Sequence, residues 1–383
     1  LDLLKLRTTF GYSGNLNRNV SALPTMRYYN GGNLINTPYG VLVNPPNENL
    51  RWEKNGQFNV GFGFAVLKQR LSGTFEYYHK KNTDLIGYMP IDQTTGAIGS
   101  LSSRGFTYLG NSASMTGNGI DIQLHSVNIR KAFEWRTDLL YSTVKTKITE
   151  YLAETRDLNN YLNSGLVISP IIGKPAYSIF AFRWAGLDPE TGDPMGYLHG
   201  EVSKDYAAIR NETTPEELIY YGSATPTHFG ALRNTFSWKG LSLSFNISYK
   251  LGFYFRRNSV YYNAIFNGTG SHSDFSLRWQ KPGDEVTTQI PSMVYPNNNN
   301  RDGYFYPRAE VLISKGDNIR LQDINLSYQI KSLENKWKLK RLEVLMYATN
   351  LGTIWKADKH NVDPEFGDLS PLRTFSFGLR AGF

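Results

Sequence analysis

The segment LSLSFNISYKLGFYF (241–255) places Leu241, Leu243, Phe245, Ile247, Tyr249, Leu251, Phe253 and Phe255 on one side of an extended chain. Ser242, Ser244, Asn246, Ser248, Lys250, Gly252 and Tyr254 fall on the other. Side chains of a β-strand alternate between faces, so this row is a strand with one apolar and one polar face. It outruns the usual globular strand of about five or six residues. A tilted strand needs about 9–11 residues to cross a bilayer, and this one has enough.

The alternation recurs along the chain. Phe58, Val60, Phe62, Phe64 and Val66 form one row, and Leu71, Gly73, Phe75 and Tyr77 the next. Ile120, Ile122 and Leu124 follow, then a looser row over 133–149 and another of Leu342, Val344, Met346 and Ala348. Ile324, Leu326, Tyr328 and Ile330 are out of phase with Ile319 and Leu321, which predicts a β-bulge near Gln322–Asp323. The chain closes on a strand with Phe375, Phe377, Leu379 and Phe383 on one face and Ser376 and Arg380 on the other. Composition agrees, with 14% aromatic residues and 35 Gly favouring strands and turns over a helical bundle. Mean hydropathy is −0.41, and no run of about 18 apolar residues marks a transmembrane helix. A barrel is compatible with both facts, because alternating strands hide their hydrophobicity from an average.

Connections between the rows alternate between tight and long. The tight ones are LKQR before Leu71, NIRKA before Phe133, Lys239–Gly240 and KSLENKWK at 331–338. The long ones, rich in Asn, Gly, Pro and Tyr, are 14–50, 89–114, 152–225, 258–314 and 353–370. A large soluble sandwich or propeller would also alternate its faces, but it has no reason to alternate its loops in this way. An outer-membrane barrel has short periplasmic turns and long extracellular loops. Setting the last strand downward then gives ten spanning strands of consistent direction: 3–13, 53–67, 71–88, 115–128, 133–150, 226–238, 241–257, 315–330, 340–351 and 371–383. An eleventh at 176–200 would break the parity, so that segment is expected to be a hairpin within a long loop, turning at Asp188–Pro194. The fold class expected is all-β, a transmembrane antiparallel β-barrel.

Several functions find no support in the residues. There is no Cys, hence no disulfide or thiolate metal site. The net charge of +8 is carried by scattered Lys and Arg, with no dense basic helix, so no nucleic-acid partner is expected. His79, His125, His199, His228, His272 and His360 are isolated and show no metal spacing, and no nucleophile or phosphate-loop motif points to an enzyme. DPETGDP (188–194) lacks the twelve-residue spacing of a calcium loop and reads as a tight turn. No cofactor is expected.

The aromatic, amide-rich loops carry more information. Tyr28, Tyr29 and Asn30 lie in the first long loop, and Tyr261, Tyr262, Asn263, Trp279 and the run Asn297–Asn300 in the fourth. Aromatic faces stack on sugar rings and amides supply paired hydrogen bonds; peptides are held by the same chemistry. These residues are the candidate substrate contacts. Packing inside the loops is the competing explanation for any one of them. Trp52 and Trp238 are expected in interfacial aromatic girdles.

NPPNENLRWEKNGQFNVGF (44–62), GNSASMTGNGIDIQL (110–124), AFRWAGLDPETGDPMGY (181–197), YYGSATPTHFGALRNTFSWKGLSLSF (220–245), GDNIRLQDINLSYQI (316–330) and the terminal GLRAGF occur in order over nearly the whole chain. Together they resemble SusC/RagA-type TonB-dependent outer-membrane transporters. The resemblance implies a plugged barrel of roughly 22 strands, of which these ten strands would be the C-terminal part. The family's signal peptide, TonB box, plug and first strands would then precede this chain. The resemblance further implies import of oligosaccharides or oligopeptides with a SusD-like surface lipoprotein. It also implies energy from a TonB–ExbB–ExbD complex acting on the plug, contact with outer-membrane lipid, and insertion by the barrel-assembly machinery. Phe375, Phe377 and Phe383 would be the terminal aromatic signal read by that machinery. The alternative is a structural role, a barrel that scaffolds an envelope complex without importing anything.

Overall fold

A computed structural model describes residues 1–383 except 19, 33–35, 92–106, 153–157, 164, 166–167, 331–339, 361, 368 and 383. In chain order, the first half contains β1 (Leu3–Asn15), β2 (Thr25–Tyr29), β3 (Tyr39–Asn44), β4 (Glu53–Val66), β5 (Leu71–Pro90), β6 (Thr107–Arg130) and β7 (Phe133–Tyr151). Next come β8 (Ser178–Ala181), β9 (Gly196–Leu198), β10 (Glu201–Ser203), α1 (Tyr206–Glu212), β11 (Ile219–Ser223), β12 (His228–Trp238) and β13 (Leu241–Leu251). The remainder is β14 (Tyr254–Arg256), α2 (Tyr262–Phe266), β15 (Ile313–Lys315), β16 (Asn318–Gln329), β17 (Arg341–Lys356) and β18 (Thr374–Gly382).

Ten strands form one antiparallel sheet in the order β1-β4-β5-β6-β7-β12-β13-β16-β17-β18. Every sheet neighbour is thus the next spanning strand in sequence, the meander that the loop alternation required. β5, β6 and β7 have 20, 24 and 19 residues. At about 3.3 Å per residue these strands are far longer than the hydrocarbon core of about 30 Å, so their ends project beyond it. No described helix is long and apolar enough to cross a membrane.

The two faces of the sheet differ as the alternation dictates. On the apolar face Phe236 stacks with Phe133 and Trp135 at centroid distances of 6.1 and 5.8 Å and meets Phe245 in a tilted pair at 6.0 Å. Asn234 interrupts this face, and its Oδ1 accepts from the Trp135 indole N–H and the Thr137 hydroxyl, both at 2.8 Å, while Asn128 Nδ2 donates to the same Thr137 hydroxyl at 2.7 Å. Hydrocarbon offers no replacement partner, so a polar group on that face must be satisfied within the sheet. The polar face carries cross-strand pairs instead. Arg7 meets Glu76 at 2.8 Å, His125 meets Asp138 at 2.5 Å, and Arg233 spans both oxygens of Asp323 at 3.0 Å. On β18, Phe375, Phe377 and Leu379 are more than half exposed, while Arg380 on the opposite face donates to Glu343 at 3.4 Å.

Local expectations meet mixed outcomes. The bulge falls at Gln322, which is skipped between Leu321 and Asp323 in the pairing with both β13 and β17. The turn Lys239–Gly240 has positive φ at both residues, matching the right-handed twist of the strands it joins. The strand expected over 241–257 breaks instead at Gly252. There φ is +77°, and the Gly252 N–H donates to Asp317 Oδ1 at 2.6 Å. The chain then leaves the large sheet, and β14 pairs only with β15. The apolar row from 241 therefore ends its span at Leu251, and Phe253, 5% exposed, packs among the loops. The expected 176–200 hairpin divides too. Its turn lies at Asp188–Pro194, closed by the Leu187–Pro194 bridge, but β8 pairs with β11 and β9 with β10. The tight connection at 331–338 and the terminal Phe383 lie outside the described residues.

Candidate functional site

Among the described residues the two clusters of buried hydrophobic side chains lie outside the ten-stranded sheet. They lie where the connection between β7 and β12 packs against the connection between β13 and β16. Phe180, Phe182, Tyr206 and Ile209 of the first surround Tyr304 and Phe305 of the second. Phe305 is fully buried, with ring centroids of Phe182, Tyr206 and Trp184 at 5.7, 5.6 and 6.4 Å. Val260, Tyr262, Ile290, Tyr306 and Leu312 form an adjoining cluster that Trp184 also touches. Burial of this many large aromatics makes the two loops one packed body, since each contributes a few kcal/mol when removed from water.

Backbone bonds sew the two loops together. Phe182 N–H donates to Arg308 O at 3.0 Å, Glu310 N–H to Phe182 O at 2.9 Å, and Ser292 N–H to Gly192 O at 2.9 Å. The polar centre of the seam is Arg301, only 2% exposed. Its Nε donates to Asp193 Oδ1 at 2.9 Å, one terminal nitrogen to Asp302, and the other to Ser292 O and Oγ at 2.8 and 3.0 Å. Burial, opposed by the Arg301 charge, pushes the Asp302 carboxyl up to about 6. Across the turn, the Lys204 ammonium and the Glu190 and Thr191 N–H groups hold Asp188 down at about 2. The carboxylates of the 188–194 turn thus already serve a Lys, an Arg and backbone donors, and the turn is held by these bonds. Among the described residues no cluster of three His, Cys, Asp or Glu is placed to hold a metal.

The candidate contacts separate into two kinds. Tyr262 is 1% exposed and its hydroxyl donates to Pro291 O at 2.6 Å; Trp279 is 8% exposed and its indole N–H donates to Glu285 at 3.1 Å. Both support the loop body from within. Tyr28, Tyr29 and Asn30 are exposed on the β2–β3 hairpin, where Tyr29 stacks on Tyr39 at 5.1 Å. Tyr261 is 41% exposed, with Asn263 Nδ2 donating to its hydroxyl at 3.4 Å. In the asparagine run, Asn298 Oδ1 caps the turn that follows by accepting from Asn300 and Arg301 N–H. Trp52 and Trp238 are 68% and 51% exposed, at opposite ends of the sheet.

Tyr261 also lines a cavity of about 650 Å³ with Asn163, Ser259, Tyr306, Arg256, Arg257 and Arg308. The three arginines were not legible as a group in the sequence. Arg256–Arg257 is a visible pair, but Arg308 lies 52 residues beyond Arg256 and joins them only through the fold.

Ten consecutive antiparallel strands with one apolar face, tight turns at one end and packed loops at the other form part of a transmembrane β-barrel. Known proteins narrow that class. The chain is 24% identical over 389 residues to TonB-dependent receptor P26 of Formosa agariphila, an alignment that takes in 94% of this chain and 36% of that protein. It is 24% identical over 414 residues to TonB-dependent receptor SusC of Bacteroides thetaiotaomicron, across 99% of this chain and 37% of that one. The solved RagAB peptide importer in its open-open state superposes with a TM-score of 0.73 at 21% identity, over 99% of this chain and 40% of that chain. No protein-family profile matches. The chain is thus similar, nearly end to end, to SusC/RagA-type TonB-dependent receptors, and spans less than two fifths of the length of those curated relatives.

Proposed function

We propose that this chain is the barrel-and-loop portion of an outer-membrane importer that takes up oligomeric nutrients, oligosaccharides or oligopeptides, in a TonB-dependent way. The observation that carries the reading is the loop body: two long connections, 152–225 and 258–314, share one aromatic core over an amphipathic ten-stranded sheet. A scaffold barrel has no need of such a body, whereas a cargo receptor needs a rigid surface from which aromatic and amide groups project. The loops lie on the extracellular side, and Tyr28, Tyr29, Asn30, Tyr261 and Asn263 are the contacts available to cargo. Tyr262 and Trp279 hold that surface in place from beneath.

Relatives named SusC and RagAB support a two-part system, with a SusD-like lipoprotein closing over the loops. Energy would come from a TonB–ExbB–ExbD complex, and insertion from the barrel-assembly machinery reading Phe375, Phe377 and Phe383. None of this chemistry is covalent; the chain supplies wall, loops and membrane anchoring. A photo-crosslinking residue at Tyr28 or Tyr261 in the complete receptor tests the assignment. Crosslinks to oligomeric cargo and to a surface lipoprotein are expected. Crosslinks only to other barrel or envelope proteins would favour the scaffold role.

A further inference from the structure

The cavity beside Tyr261 is electrostatically one-sided. Three guanidinium groups, of Arg256, Arg257 and Arg308, line it, and no described acidic residue does. Arg257 is 4% exposed and has one carboxylate partner, Asp274 at 2.7 Å, which stands outside the lining. Its Nε has no hydrogen-bond partner among the described residues, and neither does the Nε of Arg256. Among the described residues Arg256 donates to the carbonyls of Pro307 and Phe180, at 3.2 and 2.5 Å. Arg308 likewise donates to the carbonyls of Gly303 and Tyr304, at 3.1 and 3.2 Å. Buried charge is costly unless it is paired, and buried donors are almost always satisfied. Burial, and secondarily the Arg308 charge, lowers the Arg256 pKa to about 10, so the group stays cationic at neutral pH. A purely structural arginine would be expected to meet a carboxylate, as Arg301 does in the same loop body.

We infer that this cavity binds an anionic group of the cargo, a carboxylate or a sulfate ester, in the planar forks of Arg256, Arg257 and Arg308. Guanidinium is the donor suited to both anions, because its parallel N–H groups match a pair of oxygens. Ser259 and Asn163 add neutral polar groups to the lining, and the Tyr261 ring offers the adjoining residue of the chain a face to stack on. The inference refines the import reading by giving the cargo a charge.

The test uses the complete receptor and calorimetric titration with three oligomer sets matched in length: neutral, carboxylate-bearing and sulfated. Inorganic sulfate and acetate are titrated alone as the simplest probes. At least one anionic set should bind about tenfold or more tighter than the neutral set, with an advantage that shrinks as salt rises. Arg308→Gln and Arg256→Gln should each remove most of that advantage, bringing the affinity for the anionic set down toward that for the neutral set. Arg256 also ties two carbonyls together, so Arg308→Gln, with fewer cross-loop bonds to lose, is the cleaner variant. Whichever of sulfate or acetate competes better names the anion. Equal affinity for all three sets, or an anionic advantage that persists in a folded Arg308→Gln variant, overturns the inference. TonB-dependent uptake of neutral oligomers without charge preference would leave import standing and sink only the anion site. Charge-selective binding without uptake would do the reverse.

Discussion

Replacing Arg301 with Met keeps an unbranched side chain out to the position of Nε and removes the guanidinium charge from the seam between the loops. The change leaves Asp302, 1% exposed, without its cation and takes the guanidinium donors away from Asp193 Oδ1 and from Ser292. Removing one partner of a buried ion pair costs about 3–5 kcal/mol. The sheet should hold, so the loss appears as local opening of the loop body. Hydrogen exchange in the complete receptor reads it directly at the Phe182, Ser292 and Glu310 amides, whose bonds cross the seam. Protection there should fall by roughly two to three orders of magnitude, at about 1.4 kcal/mol per tenfold. A pH dependence follows from Asp302, whose folded pKa of about 6 lies above the ordinary value of 3.8. A carboxyl easier to protonate folded than unfolded lowers stability once ionised. That cost is absent below about pH 4, grows up to about pH 6 and is complete above. Without Arg301 the carboxylate loses its favourable charge, so its pKa rises further and the cost increases. The Arg301→Met defect should therefore be largest near about pH 8 and shrink toward about pH 5, and adding Asp302→Asn should restore part of the protection. Unchanged protection at the three amides, or a loss equal at both pH values, would refute the argument.

Other outcomes follow from the same geometry. Gly192 has φ +68°, and a Cβ there would meet Trp279 Cδ2 at 2.3 Å. Gly192→Val should destabilise the turn by about 2–4 kcal/mol, from backbone strain and overpacking together. Red-shifted Trp fluorescence would report it, and an unshifted spectrum with unchanged stability would contradict it. On β13, Phe245→Arg should cost about 2–4 kcal/mol or more in a lipid bilayer, because it sets a charge on the apolar face. Ser248→Arg, on the polar face, should cost much less. Equal effects in urea unfolding from vesicles would mean that the two faces are misassigned.

The sheet was readable in the sequence because alternation is a local signal. Phe245 and Ser248 declare their faces through their neighbours, and the phase slip at Gln322 marks its own bulge. The parity of tight and long connections then orders the strands without knowledge of any contact. The loop body has no period to betray it. Phe182 and Phe305 are 123 residues apart in sequence, and nothing near either one announces the pairing. Aromatic content in a loop therefore suggested contact surface for Tyr262 and Trp279 alike, when burial depends on what the rest of the chain lays over them. Gly252 illustrates the same limit: the apolar pattern runs through it to Phe255, but a positive φ and the carboxylate of Asp317 turn the chain out of the sheet.

Uptake is the most direct measurement of the central claim. Cells carrying the complete receptor are given fluorescent oligosaccharides or oligopeptides, with TonB present or deleted, and periplasmic accumulation is followed. The account predicts accumulation of at least one oligomer class that requires both the receptor and TonB and falls when Tyr28 and Tyr261 are replaced by Ala. Receptor-independent accumulation, or an intact receptor that takes up neither class while its loss weakens the envelope, would contradict it.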